Sequence, residues 1–318
     1  MPAQRIVALR SRQERAAARA GLGRLAIQRV QPKTRSMYQD SVRKFLLWLH
    51  SHGVAAGGTL EELNAQLECY IEFLWETGGT RNDAGLVLSG ISFALRRKRI
   101  LNGSWELLKT WCRVEVPQRA PPLPALTVQA MAGLCIQWGF FDVALLLLVA
   151  FSGFLRTMEG LSLRQWQLVL DVSRGSATVQ LPDSKSGTRL GRVEVVLFHD
   201  GFCVRAASKL RALLPNEGPI LQRSVPAYRA AFHGALLHFR LQEYLYQPYS
   251  LRRGGATHAW ALGAAFDRVQ EQGRWSDART ARIYLTEGMA WLQEASYDPA
   301  TLAMQNAYAQ MLREWVDG

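Results

Sequence analysis

"YSLRRGGATHAWALGAAFDRVQEQGRWSDARTARIYL", residues 249–285, gathers several chemically loaded side chains in one stretch. Arg252 and Arg253 precede two glycines, Gly254 and Gly255; Gly273-Arg274-Trp275 and then Tyr284 follow, and Tyr249 opens the run. Two readings are open: an amphipathic helix pair with a basic surface, or half of an active site. Ser250, just after Pro248, is a candidate cap for a helix that carries the arginine pair. A glycine inside a helix costs about 1 kcal/mol relative to alanine. Gly254 and Gly255 therefore point to close approach by another backbone or by DNA. Taken singly, Trp275 reads as a core aromatic and Tyr284 as an ordinary aromatic on a helix.

Outward from this stretch, residues 128–318 read as one domain. Helical patterns at 128–137 and 141–151 give way to period-two segments at 164–171, 176–183 and 192–199. Turns containing Ser173-Arg174-Gly175 and Ser186-Gly187 join these, which predicts three antiparallel strands. After Pro226 the pattern is helical again to near the end. Arg156 follows the most apolar helix, where an unpaired charge is costly. Glu159, three positions on, is within its reach on a helical face, so a structural ion pair and a cleft-facing cation are both open. Lys185 falls at a hairpin tip. A lysine there is ordinarily solvated and inert, but a tip can also deliver it into a groove.

Upstream, "VPQRAPPLPALT", residues 116–127, holds Pro117, Pro121, Pro122 and Pro124 and reads as a linker. Before it, helical spacing at 34–50, 60–75, 82–100 and 105–113 predicts a four-helix domain spanning 34–115. The third of these helices ends in Arg96-Arg97-Lys98-Arg99, a basic edge. Residues 1–33 set seven arginines and Lys33 against the single acid Glu14. That arm reads as a DNA-binding segment, a solvated tail or an organelle transit peptide.

The whole chain has 318 residues, 48% hydrophobic, with a formal charge of +12 and a pI near 10.0. This composition supports folded cores and favours a polyanionic partner, nucleic acid before an anionic membrane. The longest apolar run, 143–151, falls far short of the roughly 20 residues of a membrane span. Cys69, Cys112, Cys135 and Cys203 are far apart, and neither they nor His50 and His52 make a metal-ligand pattern. No metal site is expected, and a reducing compartment fits the cysteines.

The order of these candidates resembles the tyrosine recombinase (phage integrase) family: an Arg in "LRTMEG", a hairpin Lys, an Arg in "SLRRGGAT", a Trp in "GRW" and a Tyr nine residues later. The wording is closest to the DIRS and Crypton types of eukaryotic mobile elements. The resemblance implies a mainly α fold with a small antiparallel β-sheet, in which a helical core-binding domain precedes the catalytic domain and the two close around duplex DNA. It implies that Arg156 and Arg252 grip the scissile phosphate, with Glu159 supporting Arg156. Lys185 would protonate the leaving 5′-hydroxyl, Trp275 would donate to a phosphate oxygen, and Tyr284 would be the nucleophile. Tyr249 stands where the family usually has His. Arg96, Arg97, Lys98, Arg99, Arg253 and Arg274 would contact DNA. The product would be a 3′-phosphotyrosine, formed without metal, ATP or other cofactor, and exchange between two duplexes would take a homotetramer. The tail, 289–318, would pack on its own domain or dock on a neighbouring protomer.

The chemistry fits these residue types. Attack on a phosphodiester builds negative charge on oxygens that two forked guanidiniums match. An indole N–H can only donate. A phenol, with an ordinary pKa of about 10, needs a positive field to ionise. Two alternatives share the sequence features: a DNA-binding protein that has lost catalysis or been domesticated, and a type IB topoisomerase-like enzyme that relaxes DNA without exchanging partners. Location follows the host: the nucleus in a eukaryote, otherwise the cytoplasm.

Overall fold

The computed structural model describes residues 11–20, 29–96, 100–115, 119–182, 184, 187 and 193–318. The chain divides into two compact units, Met1–Gln118 and Arg119–Gly318.

In the first unit, α1 (Arg12–Ala20) is followed by α2 (Pro32–Ser51), α3 (Leu60–Glu76), α4 (Arg81–Ala94) and α5 (Asn102–Val114). The starts of α3 and α4 are fixed by capping boxes, Thr59 with Glu62 and Thr80 with Asp83, which satisfy backbone N–H groups that a helix start leaves open. α2 begins at Pro32, where a missing N–H costs nothing. Phe45, Leu49, Leu67, Ile71, Leu88 and Trp111 form the core. α4 ends at Ala94, short of the expected residue 100, and Arg96 takes a left-handed φ of 55°. Of the basic run only Arg96 is described; Arg97, Lys98 and Arg99 lie outside the described residues.

The second unit opens with α6 (Ala125–Gln137) and α7 (Phe141–Ser152), then α8 (Thr157–Leu161). Strands β1 (Leu168–Asp171), β2 (Ser176–Leu181) and β3 (Glu194–His199) pair antiparallel in that order. Register sets Leu168 opposite Val179 and Val179 opposite Val196, so one sheet face enters the core. A short 3-10 turn, Gln165–Gln167, occupies the start of the expected first strand. Then come α9 (Gly201–Ala212), which the sequence reading missed, and α10 (Val225–His238). They are followed by α11 (Ser250–Ala261), α12 (Phe266–Gly273), α13 (Ala278–Arg282), α14 (Glu287–Ala295) and α15 (Pro299–Asp317).

α7 is apolar all round because it is buried all round; its one acid, Asp142, is paired with Arg223 at 2.8 Å. The close approach expected at Gly254 and Gly255 is to backbone. A Cβ on either would strike the carbonyl oxygen of Leu123 or Phe151, respectively. Leu123 lies in the stretch read as a linker, yet it is fully buried and its N–H donates to the Ser250 carbonyl at 3.1 Å. The second unit thus takes in residues 119–124, and its first helix starts at Ala125 rather than 128. α15 packs along α6, with Leu312 and Val316 buried and Thr127 donating to Gln305 at 2.9 Å. In this structure the long tail helix belongs to its own unit.

Candidate active site

Ser250 is not the cap of α11. Its hydroxyl accepts from the Gln247 N–H at 3.0 Å, closing the turn before the helix, and Tyr249 occupies the cap position. The helix then carries Arg252 inward, where its guanidinium is 1% exposed. Nη1 donates to the Phe154 carbonyl and Nη2 to the Gly273 carbonyl, each at 2.5 Å. The cation also faces the rings of Trp275 (4.8 Å) and Tyr284 (5.5 Å). Burial, with Arg274 and Arg156 nearby, pushes its pKa down to about 10, which still leaves it charged at neutral pH. It forms no ion pair among the described residues.

Arg156 sits at the N-terminus of α8 and meets Glu159 twice: its Nη1 at 2.6 Å from Oε1, and its backbone N–H at 2.8 Å from Oε2. Burial works to raise the Glu159 pKa, but Arg274 and Arg156 outweigh it and hold the carboxyl below its usual range. The ion-pair reading of Arg156 is met, and its side chain stays partly exposed.

Tyr284 lies just past α13, in a turn rather than on a helix. Its carbonyl accepts from the Thr257 hydroxyl at 2.8 Å, so α11 holds the turn in place. Its ring packs against Trp275 at 4.5 Å. Trp275 is 7% exposed; its indole N–H is directed at the Tyr284 hydroxyl but forms no full hydrogen bond among the described residues.

The Tyr249 and Tyr284 hydroxyls share a hydrogen bond. Burial and this contact raise the Tyr249 phenol to about 12. Burial also works to raise the Tyr284 phenol, but the Tyr249 hydroxyl and the Arg252 charge bring it below its ordinary value. The hydrogen bond joins the two phenols directly, a link that spacing alone could not reveal.

Arg253 and Arg274, both expected to contact DNA, have buried side chains and partners within the fold. Arg253 is buried and donates to the carbonyls of Ala120 (2.7 Å) and Ile283 (3.1 Å), bracing the Tyr284 turn. Arg274 is 7% exposed and held by Glu159 (2.8 Å) and Glu194 (3.7 Å). Lys185 lies outside the described residues. Among the described residues no helix is long and apolar enough to cross a membrane, and no cluster of His, Cys, Asp or Glu could hold a metal ion.

No protein-family profile matches this sequence, and no curated protein matches it either. Solved structures do. The Tn1549 transposon integrase in complex with transposon right-end DNA is similar at a TM-score of 0.56 and 12% identity, over 89% of this chain and 98% of that one. The same integrase with a circular intermediate DNA gives 0.52 and 13%, over the same shares. XerH site-specific recombinase bound to a palindromic difH substrate, in a post-cleavage complex, gives 0.50 and 14%, over 81% of this chain and 78% of that one. The chain has the tyrosine-recombinase fold over most of its length. Nothing in these likenesses favours the DIRS or Crypton branch.

Proposed function

We propose that this chain is a DNA strand transferase of the tyrosine recombinase type, cutting and rejoining duplex DNA through a 3′-phosphotyrosine. One observation carries the reading: Arg252, a buried cation with no ion pair among the described residues, lies against the rings of Trp275 and Tyr284, where the indole N–H and the phenol converge. A scissile phosphate seated here would meet Arg252, Arg156 and the Trp275 N–H, while Tyr284 lies against its phosphorus. These groups would stabilise the charge that builds on the phosphate oxygens as the phenolate oxygen bonds to phosphorus and the 5′ oxygen leaves. Lys185 would supply the proton to that 5′ oxygen. The phosphotyrosine conserves the energy of the broken phosphodiester, so rejoining needs no ATP. The similar structures hold DNA, as transposon end, circular intermediate and difH substrate, which supports duplex DNA as the substrate class. Site-specific exchange on a tetramer with two duplexes is the finer reading.

A nicked duplex that loses its short 5′-hydroxyl fragment after cleavage traps the covalent intermediate. The wild-type chain is expected to give a protein–DNA adduct that survives denaturation. Tyr284→Phe is expected to give none while binding duplex with nearly unchanged affinity, since the ring still packs on Trp275. An adduct of equal yield from Tyr284→Phe would remove Tyr284 from its role.

A further inference from the structure

We propose that Arg274 is a positioning residue of this site, an ionic tie that sets Arg156 and Trp275 together against the phosphate. The inference rests on the strand-transfer reading and extends it to a residue that touches no substrate.

The backbone is the first sign. Arg274 has φ 56°, a left-handed conformation that costs any residue with a Cβ free energy and persists only when the surroundings fix it. Its neighbours on either side are both parts of the site. Gly273 gives its carbonyl to Arg252, and Trp275 carries the indole N–H. Gly273 also lies flat against the Trp275 ring, where a Cβ would collide. One backbone turn therefore fixes both the acceptor of Arg252 and the direction of the indole.

The side chain is the second sign. Nη2 lies 2.8 Å from Glu159 and 3.4 Å from the Phe154 carbonyl, an oxygen it shares with Arg252; Nη1 lies 3.7 Å from Glu194. Glu159 in turn holds both the guanidinium and the backbone N–H of Arg156. Arg274 thus joins α8, the turn after α12 and the first residue of β3. The charges also sort by this tie. Glu159 and Glu194 face Arg274, and Arg252 makes no ion pair among the described residues, so positive charge is concentrated where the phosphate would lie. Without Arg274, the buried Glu159 carboxylate would lean wholly on Arg156 and draw it from the phosphate.

The test is single-turnover adduct formation on the nicked duplex, with duplex affinity and thermal unfolding measured on the same proteins. Arg274→Met and Arg274→Gly are expected to slow adduct formation by about a hundredfold, the size of effect that a small misplacement of reacting groups produces. Duplex affinity is expected to stay within about twofold of wild type, because Arg274 makes no DNA contact. Arg274→Gly relaxes the left-handed backbone and keeps the variant folded where Arg274→Met is too unstable to assay. Arg274→Lys is expected to recover part of the rate. Combined with Glu159→Gln, Arg274→Met is expected to cost little more than either change alone, since both break one tie. Folded variants that cleave at the wild-type rate would overturn the inference. So would additive losses, or a loss of affinity matching the loss of rate, which would mark a direct DNA contact. No adduct from the wild-type chain would overturn the strand-transfer reading and this inference with it.

Discussion

At the scale of single residues, the paired phenols decide how the site handles protons. Tyr249 stands where tyrosine recombinases usually have His. Its hydroxyl shares a hydrogen bond with that of Tyr284, and the Tyr284 pKa is lowered while its own is raised. A lowered pKa means more phenolate at a given pH, so adduct formation should rise with pH through the Tyr284 pKa and then level off. Tyr249→Phe removes the shared hydrogen bond and is expected to shift that rise to higher pH. At neutral pH the lost charge-assisted bond, about 1.5–3 kcal/mol, corresponds to a roughly ten- to hundredfold slower rate. Tyr249→His retains a donor and is expected to keep most of the rate. Single-turnover rates across pH for the two variants measure this, and a Phe variant with the wild-type profile would show that the contact is only packing. Glu159 ties stability to pH in the same direction, at the acid end of the scale. Its folded-state pKa is depressed, so its ion pairs contribute stability above the ordinary carboxylate range that is lost as pH falls through the folded value.

At the scale of elements, the arginines and glycines of α11 show what a sequence reveals and what it hides. The cost of two helical glycines was readable, and so was the need for a close neighbour. The neighbour was not, because Leu123 sits in a proline-rich run that looks like a linker and whose burial depends on contacts distant in sequence. The same limit applies to Arg253 and Arg274. Their charge was visible, but the carbonyls and carboxylates that bury them come from segments far along the chain. Helix-to-strand alternation, in contrast, gave all three strands and most helices, because burial of one face imposes its period locally. α11 offers a direct check. Alanine for glycine in a helix normally gains about 1 kcal/mol. At Gly254 the added Cβ meets the Leu123 carbonyl, so Gly254→Ala is expected to lose about 1–3 kcal/mol. Urea unfolding of the full chain measures it, and a gain in stability would contradict the close approach.

At the scale of the whole molecule, the charge of +12 favours a polyanion, and the N-terminal segment carries much of it. In α1, Arg12, Arg15 and Arg19 share one side of an exposed helix, and Glu14 exchanges hydrogen bonds with Ser11 at its start. Each phosphate neutralised adds about 0.9 to the slope of log affinity against log salt. Removing residues 1–33 is therefore expected to flatten that slope by about 2–3 if Arg12, Arg15 and Arg19 each meet a phosphate. Equal slopes for full-length and truncated protein would rule the arm out as a phosphate-binding element. The central claim is narrower: one phosphodiester becomes attached to one tyrosine. Its most direct test is to trap the adduct on a nicked duplex, digest both DNA and protein, and locate the nucleotide-bearing peptide by mass spectrometry. The account requires the nucleotide on Tyr284, linked through its 3′-phosphate. A nucleotide on Tyr249 or any other residue, or a chain that binds duplex and never becomes attached to it, would contradict it.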